Sequence, residues 1–379
     1  MVMSNRRALK LAALRVLRAA GGFRLAAWLT RRHLRVLCYH GWSVRDEHRF
    51  RPALFMTGAT FEARLRHLRR AGYPVLPLGE ALERLRAGTL PPRAVAVTID
   101  DGFYTTLSVA APLLHRYQAP ATLYLTTYYV VHQDPVFNLA LSYLLWRADA
   151  ETLDLTGLGL AGVVPERVAW AGRPADEREA HAQAIVAWAT VRLARAERRE
   201  LLRGVAERVG VPFEAFVADR QFSLVTAAEA ERFWAYGVTL GLHTHRHRSP
   251  GDEALARREL ADNAAVLRTI PGAAGAHFCY PSGRFDRWRD EWLQAQGVES
   301  ATTCEVGFAA ADTPRYQIPR FLDGEHVHQL EFEAEVAGVL ELARRAVARF
   351  RGRPAPVFVD DAAEGRQAPP ITSGPEFAA

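Results

Sequence analysis

Ala94-Val95-Ala96-Val97-Thr98-Ile99-Asp100-Asp101-Gly102 is the stretch whose reading decides the fold. An unbroken apolar run that stops at two acids and a glycine has the pattern of a strand covered on both faces, as in a parallel sheet. Acids at the C-terminal end of such a strand emerge at the mouth of the sheet or barrel, where folds of this class hold their ligands. Neighbouring residues on a strand point to opposite faces, so Asp100 and Asp101 can share one site only if the chain turns there, and Gly102 permits the turn. Asp-Asp-Gly is also ordinary turn chemistry, so the doublet alone does not assign a function.

Outward from this strand, short β-branched runs alternate with amphipathic stretches, the sign of βα units around a mostly parallel sheet. The pattern predicts strands at 36–39, 75–78, 95–100, 122–126, 238–242, 277–280, 301–304 and 317–321. It predicts helices at 61–70, 78–87, 107–117, 227–235, 253–269 and 288–296. Thr226-Ala227-Ala228-Glu229 fits a capping box. Between about 131 and 225 the strand signal nearly vanishes and Leu, Ala, Arg and Glu dominate, which reads as a mainly helical insertion serving as a structural cover or as a wall of a substrate cleft. The expected division is therefore a basic amphipathic helix at 1–33, barrel segments at 34–130 and 226–332 flanking the insertion at 131–225, a last helix at 333–352 and a disordered, proline-bearing tail at 353–379.

A second cluster, Leu242-His243-Thr244-His245-Arg246-His247, also ends a predicted strand and should open onto the same mouth. Three histidines in five residues are hard to explain as core. At i and i+4, His243 and His247 would meet on one side of a helical turn, a spacing that suits two neutral imidazoles on one divalent ion. A basic loop is the other reading, given Arg246 and Arg248.

With 379 residues and 49% apolar content, the chain can bury a full core. The net charge of +6 comes mostly from arginine and is spread through many segments. That distribution argues against a nucleic-acid partner and leaves an anionic surface or polymer open. Three widely separated cysteines, Cys38, Cys279 and Cys304, suggest neither a disulfide framework nor a cysteine metal site, and a reducing compartment is the simplest inference. Arg6 to Arg18 places apolar residues at helical spacing with cations between them, with no apolar run of signal-peptide or spanning length. Such a helix either lies on an anionic membrane surface or packs its apolar stripe on the following domain.

Taken in order, the motifs resemble those of the polysaccharide deacetylases of the NodB-homology type, carbohydrate esterase family 4. Thr98-Ile99-Asp100-Asp101-Gly102 stands where that family has Thr-Phe-Asp-Asp-Gly, and His243 to His247 resembles its His-Ser/Thr-x-x-x-His motif. Phe278-Cys279-Tyr280-Pro281-Ser282-Gly283 is similar to Phe-x-Tyr-Pro-x-Gly. Val36-Leu37-Cys38-Tyr39-His40 resembles the opening Tyr-His strand, and Ile318-Pro319-Arg320 a late Pro-Arg strand. The resemblance runs from about 36 to 321 and implies a distorted (β/α) barrel. The implied activity is a hydrolase removing N-acetyl or O-acetyl groups from a glycan polymer or its precursor, with one divalent ion, usually Zn2+. It implies Asp101, His243 and His247 as metal ligands, Asp100 as general base, and the backbone N–H of Ser282 as a donor to the oxyanion.

Two features depart from the family pattern. The arginines of its fuller Arg-x-Phe-Arg-x-Pro-Tyr motif are replaced, so the cation that keeps the base ionised must come from elsewhere, and Arg320 is the candidate. No late Leu-x-His motif supplies a general acid; His40 is the first candidate, with His326 and His328 behind it. A member without an acid would be a metal-containing, carbohydrate-binding protein with no turnover. The absence of a signal peptide and the free cysteines point to the cytoplasm, at the inner membrane face if the N-terminal helix docks there, and so to a glycan precursor as substrate.

Overall fold

In the computed structural model, residues 5–273 and 275–351 are described; the expected tail at 353–379 lies outside them. Seven strands form one parallel sheet: β1 (Arg35–Tyr39), β2 (Val95–Ile99), β3 (Ala121–Leu125), β4 (Val238–Leu242), β5 (His277–Cys279), β6 (Ser300–Thr302) and β7 (Phe321–Leu322), in the order β6-β5-β4-β3-β2-β1-β7. The sheet curls until its ends approach, and a parallel bridge between Thr302 and Ile318, just ahead of β7, links the first strand of that order to the last. This is the expected distorted (β/α) barrel.

Strand parity explains what each face holds. Leu37, Tyr39, Val97, Ile99, Leu123 and Leu125 join the large outer core under the helices. Val36, Ala96, Tyr124 and Cys279 form a smaller core inside the curl. Asp100 follows Ala96 and Thr98 in parity, so it faces inward at the mouth.

The helices obey the same logic. α1 (Asn5–Ala19) and α2 (Gly22–Leu29) precede the sheet. α3 (Gly58–Arg70) starts where the Thr57 hydroxyl accepts the Thr60 N–H at 3.1 Å, and it buries Phe61, Arg64, Leu65 and Leu68 at i, i+3, i+4 and i+7. Full burial of Phe61 or Leu65 contributes about 2 kcal/mol each, and Leu65→Ala would cost about 2–5 kcal/mol through lost transfer and the cavity. α4 (Leu78–Arg86) follows. The capping box at Thr226 forms with both bonds, at 2.8 and 3.1 Å.

The insertion contains α5 (Phe137–Arg147), α6 (Ala175–Arg192) and α7 (Arg195–Arg208), together with a short antiparallel pair, 152–154 with 167–169, that the helical reading missed. Its core runs continuously into that of the barrel, where Tyr143 and Phe222 of the insertion meet Phe50, and Phe222 also meets Phe55. Arg51 pairs with Glu179 at 2.6 Å across the same seam. After the insertion come α8 (Glu253–Leu267), α9 (Gln329–Val336) and α10 (Val339–Arg351).

Five expectations are corrected. The expected strand at 75–78 is only a bridge from Val75 to Val95, because Pro74 and Pro77 supply no N–H and Leu78 already starts α4. The strand expected at 317–321 is cut to Phe321–Leu322, with Pro319 interrupting it. The single helix expected at 1–33 is two, broken at Gly21 (φ 80°), and the single last helix is α9 and α10, broken at Gly338 (φ 83°). Lastly, 243–247 is not a helical turn, as the next subsection describes.

Candidate active site

At the C-terminal ends of β1 to β5 the mouth of the barrel opens into a cleft of about 310 Å³. It brings together His40, Asp100, Asp101, His243, His247 and Ser282, with Cys304 behind them. One wall belongs to the insertion, through Phe137 and Leu139 of α5 and Gln183, Val186 and Thr190 of α6.

The doublet splits because Asp101 itself turns left-handed (φ 72°), and Gly102 continues the turn at φ 94°. A Cβ on Gly102 would lie 2.1 Å from Leu125 Cδ1, so only glycine fits. Asp100 keeps its inward strand direction while Asp101 swings round to the same cleft.

Asp101 Oδ1 lies 3.4 Å from Nε2 of His243 and 3.4 Å from Nε2 of His247. Ligand atoms about 2.0–2.2 Å from a tetrahedral ion stand roughly 3.3–3.6 Å apart, so both Asp101–histidine edges have the spacing of such a shell, and all three groups offer ligand atoms within 4.8 Å of one another. His243 Nδ1 is 2.8 Å from the Cys279 carbonyl oxygen. Donation to that carbonyl fixes the proton on Nδ1 and turns a lone pair on Nε2 toward Asp101. The set therefore fits a divalent cation, and it lies beside a cleft rather than in a closed cage. Burial alone would push the Asp101 carboxyl up; the bonded His243 ring, and then His247, hold it below the ordinary value.

The histidine rings meet with centroids 4.9 Å apart, but through a loop rather than a helix. Thr244 (φ 59°) and His247 (φ 53°) are both left-handed, and the loop is braced from α8. Asn263, fully buried, accepts the His243 N–H at 2.8 Å and donates to the Leu125 carbonyl at 2.9 Å and the Thr127 hydroxyl at 3.0 Å. One turn earlier, Glu259 accepts the Arg246 N–H at 2.8 Å and pairs with its guanidinium at 3.1 Å. His245 turns away to Thr127 Oγ1 at 2.8 Å; burial, then Arg246, pushes its imidazole down to about 4.

Arg320, just ahead of β7 and two strands from β2, reaches Asp100 with Nη1 to Oδ1 at 2.7 Å and Nη2 to Oδ2 at 2.8 Å, both residues being buried. It also donates to Thr98 Oγ1 at 3.1 Å and the Thr303 carbonyl at 2.9 Å. Burial would raise the Asp100 carboxyl, but the two-pronged Arg320 guanidinium outweighs it and holds the group far below the usual carboxylate range. Asp100 is therefore held in its ionised form at neutral pH.

His40 Nε2 is 3.8 Å from Asp100 Oδ2, and its Nδ1 is buried without a partner among the described residues. Ser282 is left-handed (φ 53°, ψ 20°) in the turn after Tyr280, its buried hydroxyl likewise unpartnered. Both atoms lie beside the cleft, where substrate or water could bond to them. His326, near the Pro52 carbonyl, and His328, which caps α9, do not line the cleft.

Sequence reasoning missed two groups. All three cysteines converge on the Asp100–Arg320 pair: Cys38 and Cys279 Sγ lie 3.5 and 3.4 Å from Asp100 Oδ2, and Arg320 Nη2 lies 3.0 Å from Cys279 and 4.0 Å from Cys304. Their positions at or just after the ends of three barrel strands were the available signal. The brace of Glu259 and Asn263 was legible only as two polar residues at i and i+4 on one face of a helix.

Comparison of the sequence with protein-family models and with curated proteins gave no match. Solved structures do match. The Streptococcus pyogenes deacetylase PplD, determined in complex with acetate, superposes with a TM-score of 0.50 at 17% identity, covering 80% of this chain and 98% of PplD. IcaB from Ammonifex degensii gives 0.48 at 18% identity, over 80% of this chain and 97% of its own. BC0361, a polysaccharide deacetylase from Bacillus cereus, gives 0.46 at 15% identity, over 80% and 69%. With its curled parallel sheet and strand-end cleft, the chain has the polysaccharide deacetylase fold.

Proposed function

We propose that the protein is a metal-dependent hydrolase that removes acetyl groups, N-acetyl first, from a polysaccharide or its glycan precursor. The observation that carries this reading is the pair of separate carboxylate environments in one cleft. Asp101 sits equidistant from two imidazoles, and 2.7–2.8 Å contacts tie Asp100 to a buried guanidinium. Asp101, His243 and His247 would hold the ion, Zn2+ by its preference for nitrogen and carboxylate ligands in a tetrahedral shell. When bound, such an ion polarises the acetyl carbonyl and acidifies water.

The chain's own residues supply the rest. Asp100, ionised in the resting site, would orient the attacking water and take its proton only transiently; its depressed basicity makes it a relay that passes the proton on rather than a store for it. Ser282, in its left-handed turn, would direct its N–H to the oxygen that gains charge. His40, within 4 Å of Asp100 and with one ring nitrogen unpartnered, is positioned to return the proton to the departing amine. Val186 and Leu139 of the insertion add apolar surface to the cleft wall. The reading carries with it a cytoplasmic location and a precursor substrate, and finding the protein exported on fractionation would remove that part.

Purified protein supplied with zinc or cobalt is expected to release acetate from chitooligosaccharides or another acetylated glycan. Asp100→Asn should abolish release. No release across a broad acetylated panel, with metal bound, would replace this reading by that of a non-catalytic carbohydrate-binding protein.

A further inference from the structure

Eleven large apolar side chains stand exposed among the described residues, and six of them lie in α1 and α2: Leu9, Val16, Leu17, Leu25, Trp28 and Leu29. These are not the residues that dock the helices. Leu11, Leu14 and Phe23 do that, packing on Leu330, Ala334 and Ala337 of α9. The two helices thus carry two apolar stripes, one spent on the fold and one turned outward, with Leu9, Val16 and Leu25 each more than half exposed. On α2 the outward residues fall at i, i+3 and i+4, which makes a continuous ridge.

The charge around this ridge has one sign. Residues 5–33 hold eight Lys or Arg and no Asp or Glu. Arg7 and Lys10 are engaged by Glu331, and Arg18 by Glu333, which clamps α1 to α9. Arg6, Arg15, Arg24 and Arg32 make no ion pair among the described residues, and all four are exposed. Arg31 stacks 4.4 Å from the centre of the Trp28 ring, joining the cationic and aromatic parts of the surface.

We propose that the outward face of α1 and α2 is a docking surface for an anionic lipid bilayer. Apolar side chains flanked by long arginine stems match a membrane boundary, where leucine and tryptophan enter the headgroup–acyl region while guanidinium groups stay with the phosphates. A tryptophan at the edge of such a ridge suits the interfacial layer. A second copy of the chain is a poor occupant, because it would set one group of unpaired arginines against another. No helix among the described residues is long and apolar enough to cross a membrane, so the contact is to the surface. The fold-facing clamp through Glu331 and Glu333 holds the helices rigidly on the barrel, so docking would carry the cleft with it.

Co-sedimentation with vesicles of phosphatidylcholine, with and without phosphatidylglycerol, tests the proposal. The protein should partition onto the anionic vesicles, and high salt should weaken the binding. Each of Arg15→Ala and Arg24→Ala should lower the partition coefficient about fivefold, and Leu25→Asp by about tenfold or more. Circular dichroism and melting should match the parent protein, because none of these side chains touches the core. Equal binding to neutral vesicles, no binding, or unchanged binding by the variants would overturn the proposal. So would a stable dimer that Leu25→Asp dissociates, since the occupant would then be a second copy.

Discussion

Replacing Arg320 by methionine would strip the buried Asp100 carboxylate of both its charged hydrogen bonds, at 2.7 and 2.8 Å, and leave Thr98 Oγ1 and the Thr303 carbonyl without their donor. Breaking a buried pair by removing one partner costs about 3–5 kcal/mol. Two orphaned neutral acceptors add about 1 kcal/mol each, so at neutral pH the loss should be about 5–7 kcal/mol. The pH dependence carries the sign. In the parent protein the Asp100 pKa is depressed on folding, so its contribution is fully present above the unfolded value of about 4 and is lost only as pH falls through the folded one. Without Arg320, burial, the largest influence on the carboxyl, is opposed only by the weaker fields of His243 and His40, so the variant should recover relative to the parent as pH falls and Asp100 takes up a proton. The difference should shrink toward about 2 kcal/mol, the share of the two neutral acceptors. Urea unfolding at several pH values measures this, with Arg320→Lys, which keeps the charge but loses the two-pronged geometry, as the milder partner. A loss below about 1 kcal/mol, or a loss that does not change with pH, would refute the reasoning.

Three further outcomes follow from the geometry. Asn263→Ala leaves the buried His243 N–H and the Leu125 carbonyl unpaired, so it should cost about 2–4 kcal/mol in urea unfolding and loosen metal binding in a calorimetric titration. His67, His181 and His277 are each held below the ordinary imidazole value, first by burial. Depressed on folding, they contribute stability that is present above about pH 6.5 and lost as pH falls toward their folded values, so the urea midpoint should drop across that window. Burial pushes the Cys304 thiol up to about 12 and raises the Cys38 thiol as well, so an aromatic disulfide reagent at mildly alkaline pH should react slowly with the folded protein and fully with the unfolded chain.

How much of this was legible in the sequence depends on the range of the signal. The apolar run of β2 and its final doublet gave the strand, its end and its place at the mouth, because period and burial are local properties. The same was true of β4 and the histidines that follow it. The turn that lets both acids share a cleft was attributed to Gly102, yet Asp101 already carries it, since a left-handed aspartate leaves no mark in its neighbours. The helical turn assumed for His243 and His247 failed for a related reason: i and i+4 spacing was taken as geometry, whereas two left-handed residues and the Asn263 brace bring the rings together. The gathering of three cysteines around Asp100 and Arg320 depends on which strands are neighbours in the barrel. Sequence separation of up to 282 residues, from Cys38 to Arg320, hides that from any local reading. The outward apolar ridge of α1 and α2 was hidden because periodicity reports that an apolar stripe exists, and the contact with α9 accounts for only part of it.

The most direct test of the central claim is a zinc titration by calorimetry on the parent protein, Asp101→Ala and Asp100→Asn. The account predicts one ion per chain in the parent, retention of that ion in Asp100→Asn, and its loss in Asp101→Ala. Binding unaffected by Asp101→Ala, or lost in Asp100→Asn alone, would contradict it.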